Sequence, residues 1–301
     1  PATLANFVLM GYFFGKKNTR VPLILLLLIN GSAISLDYLF VTHLKMGING
    51  LALANIIAQS IGLFMGLIFI QIIYKPFTKR HRGIFEFNAM MQFFHINKDI
   101  FIRTVCLMAT IATFTKQSNA LGPNFVAANA ILLSLHHFAS YFLDGFAISC
   151  EALVGEAIGL KNYNKLQMAI KHCAKFSIYV GLGLSLSFAV VGHSIINLLS
   201  SHAAVVKIAS ANLIWLIILP TLSVASFLLD GVFIGATWSK PMRNTMVVST
   251  FMVFMPLVYV LKPFGNNGLW CAFIGFIVSR GLLLALSLRR QLSRKSIKIE
   301  S

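Results

Sequence analysis

At 301 residues, 57% of them hydrophobic and only 11% charged, with a mean hydropathy of +0.81, the chain has too little polar surface to be a soluble globule. Its formal net charge of +17 is spread over short connections between apolar runs rather than gathered on one basic face, which excludes nucleic acid as a partner. Cys106, Cys150, Cys173 and Cys271 stand singly with no C-x-x-C pair, so neither a disulfide framework nor a metal site is expected, and no cofactor is called for.

Taken in chain order, apolar runs long enough to cross about 30 Å of hydrocarbon lie near residues 21–43, 48–74, 101–119, 125–158, 171–199, 208–235, 244–262 and 267–288, with a shorter one at 1–15. Period-two alternation is absent, which excludes a membrane barrel. The expected fold class is therefore an all-α polytopic membrane protein of about nine spans.

The connections alternate between rich and poor in Lys and Arg. Lys16, Lys17 and Arg20 form a rich one; Lys45 is alone; Lys75 through Arg103 is rich; Lys116 is alone; and the alternation continues to Arg289, Arg290, Arg294, Lys295 and Lys298. The positive-inside rule puts the rich connections and the C-terminus in the cytoplasm. Of the basic residues only Arg280 is read as lying within a span away from any loop.

The chain also repeats itself. Gly11-Tyr-Phe-Phe-Gly15 resembles Gly231-Val-Phe-Ile-Gly235, and Asn49-Gly50-Leu51 resembles Asn267-Gly268-Leu269. Six spans separate the copies, an even number, so the repeat is parallel: a six-helix unit, of which the first copy holds only its last three helices. Residues 1–83 are read as the end of an N-lobe, 84–98 as a linker, 99–290 as a complete C-lobe and 291–301 as a basic cytoplasmic tail. Within the linker, Ile84 to Phe94 is apolar but too short to span, which suggests an interfacial helix. About three helices are expected ahead of Pro1.

Acids inside spans are rare and cost about 2.5 to 3.5 kcal/mol each on insertion scales, so they mark pathways or ion sites. The run 125–158 holds three, Asp144, Glu151 and Glu156. Asp144 and Glu151 are seven residues apart, two helical turns, which puts them on nearly one face about 10 Å apart. They form a candidate relay for a coupling ion or proton. Glu156 sits near the cytoplasmic end of the helix, turned away from the other two, as a solvated or loop-anchoring acid.

Asp230 aligns with Met10 in the other repeat, an asymmetry that favours a coupling or substrate role over lobe packing. Arg280 needs a partner, and Asp230 or Asp144 is the natural one. Asn30, Asp37, Asn129, Tyr141 and Arg280 are expected to line the substrate cavity. His136 and His137 are adjacent and face different ways, which suits polar lining rather than a metal pair. The G-x-x-x-G words at Gly11, Gly62, Gly155 and Gly231 fit close helix packing.

Several of these words occur together in one family. Pro1-Ala-x-Leu-Ala-Asn6, Leu36-Asp37, Leu143-Asp144-Gly145-Phe-Ala147 with Glu151, Leu229-Asp230-Gly231-x-Phe-Ile-Gly235, Met242-Arg243-Asn244 and Arg280-Gly281 cover nearly the whole chain. In order and spacing they resemble the multidrug and toxic compound extrusion (MATE) family, in its DinF-like branch. The resemblance implies two six-helix lobes around a central cavity, in the bacterial inner membrane. It implies export of amphipathic, often cationic small molecules in exchange for H+ or Na+, by a monomer surrounded by the lipid bilayer and without enzymatic activity. An important acid of the family's first helix has no counterpart in this sequence, so an inactive fragment is one alternative. A flippase of lipid-linked saccharides is another, and would show a more basic cavity. An integral-membrane enzyme would need clustered polar groups at a membrane face.

Overall fold

The computed structural model describes residues 1–16, 18–74 and 87–299, and every element among them is helical. The basic connection around Lys75 to Arg82 and the start of the expected linker, residues 84–86, lie outside the described residues. Two compact units divide at residue 84.

The N-terminal unit contains α1 (Ala2–Gly15), α2 (Arg20–Tyr38, continued by a wider π turn over Leu39–His43) and α3 (Gly47–Tyr74). Its core is small: Phe13, Val21 and Leu25 are buried, with Met65 and Phe69 against them. Asn6 ties α1 to α3 by donating to the Gln59 carbonyl and side chain at 2.8 and 2.9 Å. Gly66 lets Leu9 approach, since a methyl group there would sit 2.7 Å from Leu9 Cδ1.

The C-terminal unit contains α4 (Phe87–Leu121), α5 (Pro123–Gly159), α6 (Tyr163–Leu199), α7 (Ala203–Ala211), α8 (Leu213–Gly235), α9 (Ser239–Val248), α10 (Met255–Val260) and α11 (Gly265–Ile299). Breaks fall where the local chemistry demands them. Gly122 takes a positive φ of 121° and Pro123 opens α5 with its φ already helical. Asn162 caps α6 by accepting from the Lys165 amide at 2.9 Å. A π segment over Ser249–Phe254 joins α9 to α10 just ahead of Pro256, whose ring would crowd the Met252 carbonyl in a regular α-helix.

Helix α8 is the centre of this unit and packs on α5, α6 and α11. Leu216, Leu219, Val232 and Phe233 are fully buried in it. Its approach to α5 depends on Gly231 and Gly235, where a methyl group would collide with the carbonyl oxygens of Ala147 and Glu151. The repeated word at Gly11 and Gly15 behaves differently: a methyl group at either meets nothing within 4 Å. Among the described residues, this word packs closely on a neighbouring helix in its second copy.

Seven of the described helical segments are long and apolar enough to cross a membrane. Two expected spans fall outside them. Helix α1, at 14 residues, is shorter, and α4 is less apolar because Arg103, Lys116 and several threonines interrupt it. The described part of the expected interfacial segment, from Phe87 onward, is helical and runs without a break into the 35-residue α4. Likewise the expected tail from residue 291 begins as the end of α11.

Candidate functional site

Four helices of the C-terminal unit, α4, α5, α8 and α11, enclose a cavity of about 470 Å³. That is within the range of pockets that hold drug-sized molecules. Apolar walls come from side chains such as Leu133, Phe227 and Phe276, and the charges come from Arg103, Asp144, Glu151, Asp230 and Arg280. Each helix contributes at least one charge. Gly231 and Gly235 decide how near the charges sit, because they bring the Asp230 end of α8 directly against the Asp144 to Glu151 stretch of α5.

Asp230 is held at the cavity wall by two arginines. Nη2 of Arg103 and Nη2 of Arg280 both donate to its Oδ2. Arg280 is 4% exposed and Asp230 6%. Asp230 Oδ1 and the Nε atoms of both arginines find no protein partner. Asp144 and Glu151 lie on the same wall and form no direct ion pair among the described residues. Asp144 nonetheless feels both guanidinium groups through space.

The charge balance follows. Counted by residue type, two arginines face three acidic side chains at this cavity, so the acids outnumber the arginines by one.

The sequence-based candidates divide accordingly. Asp144, Glu151, Asp230, Tyr141 and Arg280 converge on this cavity, and His136 and His137 line it together, with ring centroids 6.0 Å apart. Asn129 does not line it. It is buried elsewhere in a polar knot, donating to Ser118 Oγ at 2.8 Å and Asn266 Oδ1 at 2.7 Å, and accepting from Trp270 Nε1 at 2.9 Å. Its amide fastens α4, α5 and α11 together.

In the N-terminal unit Asn30 is exposed and donates to the Leu26 carbonyl of its own helix at 2.9 Å, while Asp37 is half-buried. Glu156 accepts from Lys165 Nζ at 2.9 Å across the α5–α6 connection, as a loop anchor should.

Two charged residues have contacts that the sequence reading does not assign them. Arg103 was counted with the loop cations, although the span drawn at 101–119 already contained it. Asp99 received no role, yet it accepts from Arg243 Nη1 at 2.7 Å and Ser239 Oγ at 2.6 Å, clasping α4 to α9.

A multi-helix membrane bundle with paired charges around an internal cavity defines a membrane carrier. The family model MatE matches residues 100–260, more than half of the chain, and the chain belongs to that family, whose members are transporters rather than enzymes. It is 36% identical over 297 residues to the DNA damage-inducible protein F of Escherichia coli (strain K12), covering 96% of this chain and 63% of that protein. Identity to Protein DETOXIFICATION 43 of Arabidopsis thaliana is 24%, over 94% of this chain and 53% of that protein. A crystallised point mutant of the Vibrio cholerae MATE transporter VcmN superposes with a TM-score of 0.88 at 18% identity, over 97% of this chain and 68% of that one. The chain thus spans less than two thirds of the curated relatives' length.

Proposed function

We propose that this chain works in a secondary exporter of amphipathic, cationic small molecules, exchanging them for H+ or Na+ by alternating access. The observation that carries this reading is the surplus of acids over arginines, three against two, around the cavity between α4, α5, α8 and α11. A site with one excess charge holds an organic cation or a coupling cation, but not both, and such mutual exclusion is what antiport requires. Tyr141 and Phe227 offer flat apolar faces to the body of the solute.

In this mechanism Asp144 and Glu151 are the exchanging acids. Asp230 serves them indirectly, by neutralising one of the two arginines that would otherwise repel any cation. H+ or Na+ arriving from outside neutralises the excess charge, and the organic cation leaves outward. The protein acts as a monomer in the bacterial inner membrane, with its C-terminus in the cytoplasm as the loop charges indicate.

The test is ethidium flux in proteoliposomes containing the full chain, under an imposed pH or Na+ gradient. Flux should follow one of the gradients, and Asp144→Asn or Glu151→Gln should each abolish the gradient-driven part. Wild-type flux indifferent to both gradients, or variants that keep its gradient dependence, would refute the assignment.

A further inference from the structure

Along α5, three titratable side chains recur at seven-residue steps: His137, Asp144 and Glu151. Seven residues are two turns less about 20°, so the three stay within about 40° of one face and rise about 21 Å from first to last. All three line the charged cavity, and Tyr141 fills the turn between His137 and Asp144. The exchange proposed for Asp144 and Glu151 leaves His137 without a role.

The two histidines are not alike. His137 is exposed, whereas His136 is 5% exposed, with its ring edge-on to Phe273. An imidazolium donates from both nitrogens, and the buried Nδ1 of His136 meets no acceptor, so His137 is the ring of the pair suited to carry charge. Across the cavity, Arg103 of α4, Asp230 of α8 and Arg280 of α11 face the same space, and Asp230 holds both arginines. Helices α6 and α7 also pack on α5 and, among the described residues, put no titratable group on this wall. The chemistry of the row then selects its occupant. Carboxylates take H+ or Na+, but an imidazole is a poor ligand for a hard cation and a good base for a proton between about pH 5 and pH 8. Of the two coupling ions, only H+ suits all three positions.

We propose that His137 is the first station of a proton row, His137 to Asp144 to Glu151, and that the coupling ion exchanged at this cavity is H+. This rests on the exporter reading above. The Pro123 end of α5 follows the Lys116 side, outer by the loop charges, so His137 is the station nearest the outside. A proton arriving on a ring nitrogen of His137 makes an imidazolium that opposes an organic cation in the cavity. It then passes to a carboxylate oxygen of Asp144, through water for which the cavity has room, and leaves the ring neutral.

The proposal is tested by ethidium binding to the detergent-solubilised full chain, followed by fluorescence polarisation from about pH 8 down to about pH 5.5. Wild-type affinity should fall about ten-fold over that range, the factor produced by one imidazole proton that excludes the solute. Sodium in place of potassium at equal ionic strength should leave the fall unchanged. His137→Gln, which cannot take the proton, should hold the high-pH affinity within about two-fold throughout. His137→Arg, charged at every pH used, should bind about ten-fold more weakly than wild type at high pH and show little further fall. A merely structural histidine would not move the two variants in opposite directions. His193→Gln, on α6 and away from the cavity, should follow wild type.

Wild-type affinity that ignores pH would overturn the proposal, as would a fall that persists in His137→Gln, which would leave the proton on the acids alone. So would competition by Na+ that is equal in wild type and His137→Gln, which would assign the coupling ion to the acids as Na+. Each of these outcomes leaves the exporter reading standing. That reading fails instead if proteoliposome flux follows neither gradient while the pH response and its variants behave as described, and His137 then remains a proton site in a cavity that does not export.

Discussion

Asp230 and Asp144 line the same cavity and differ in what they hold, and their variants should differ in kind. Replacing Asp230 by Asn leaves Arg103 and Arg280 facing each other without a counter-charge, and breaking a buried ion pair from one side costs about 3 to 5 kcal/mol. Thermal unfolding in detergent should register that loss, and Arg103→Gln added to Asp230→Asn should restore part of it by removing the orphaned cation. Asp144→Asn, which breaks no direct ion pair, should unfold within about 1 kcal/mol of wild type while losing gradient coupling. Asn129→Ala belongs with Asp230, since it strands Ser118, Asn266 and Trp270 and should cost about 1 to 3 kcal/mol for each polar group left buried without a partner. The sequence made Asp144, Glu151, Asp230 and Arg280 visible because charge inside an apolar run is conspicuous. Arg103 escaped because it sits near the edge of its run, where a loop residue and a cavity residue look alike. Asn129 was misplaced because one polar residue in a helix does not reveal whether it meets water or another amide.

At the scale of elements, four G-x-x-x-G words look equivalent in sequence and are not. Gly231→Ala puts a methyl group into the Ala147 backbone carbonyl, so α8 must retreat from α5. Overpacking of that kind typically costs about 1 to 3 kcal/mol, and here it also widens the cavity that α5 and α8 share. The expected outcome is a lower unfolding temperature together with lost ethidium transport. Gly11→Ala adds its methyl group to open space within a helix, where Ala is the better helix former by about 1 kcal/mol. Its unfolding temperature should hold or rise. Helix number and order were legible because 20-residue apolar runs have few alternative structures in a bilayer. Helix ends were less so: the start of α4 reads as a separate interfacial piece since its apolar and polar residues alternate without a Gly or Pro to mark a break, and in the structure none occurs.

Within the C-terminal unit, α4 takes part in polar contacts at several levels, three of which involve an amide or charged group. Ser118 joins the Asn129 knot, Arg103 joins the charged cavity, and Asp99 joins Arg243 and Ser239. Between these levels lie two hydrophobic clusters, one around Trp270 and Phe254 and the other around Phe233 and Leu284. The outer two levels are closed by short hydrogen bonds, and the middle one gathers three acids around two arginines, which is where the proposed exchange can occur without unfastening the bundle. The proposed exchange on one surplus acid carries a stoichiometry that can be tested. One H+ or Na+ should replace one monovalent organic cation, so the cycle carries no net charge across the membrane. Ethidium flux in proteoliposomes at a fixed pH or Na+ gradient should therefore be insensitive to a potential imposed with K+ and valinomycin. A dicationic substrate moved by the same cycle should respond, since one charge would then cross per turnover at about 2.3 kcal/mol per 100 mV. If ethidium itself responds to the potential, more than one coupling ion is bound per turnover. The count of two arginines against three carboxylates would then be wrong as a description of the working site.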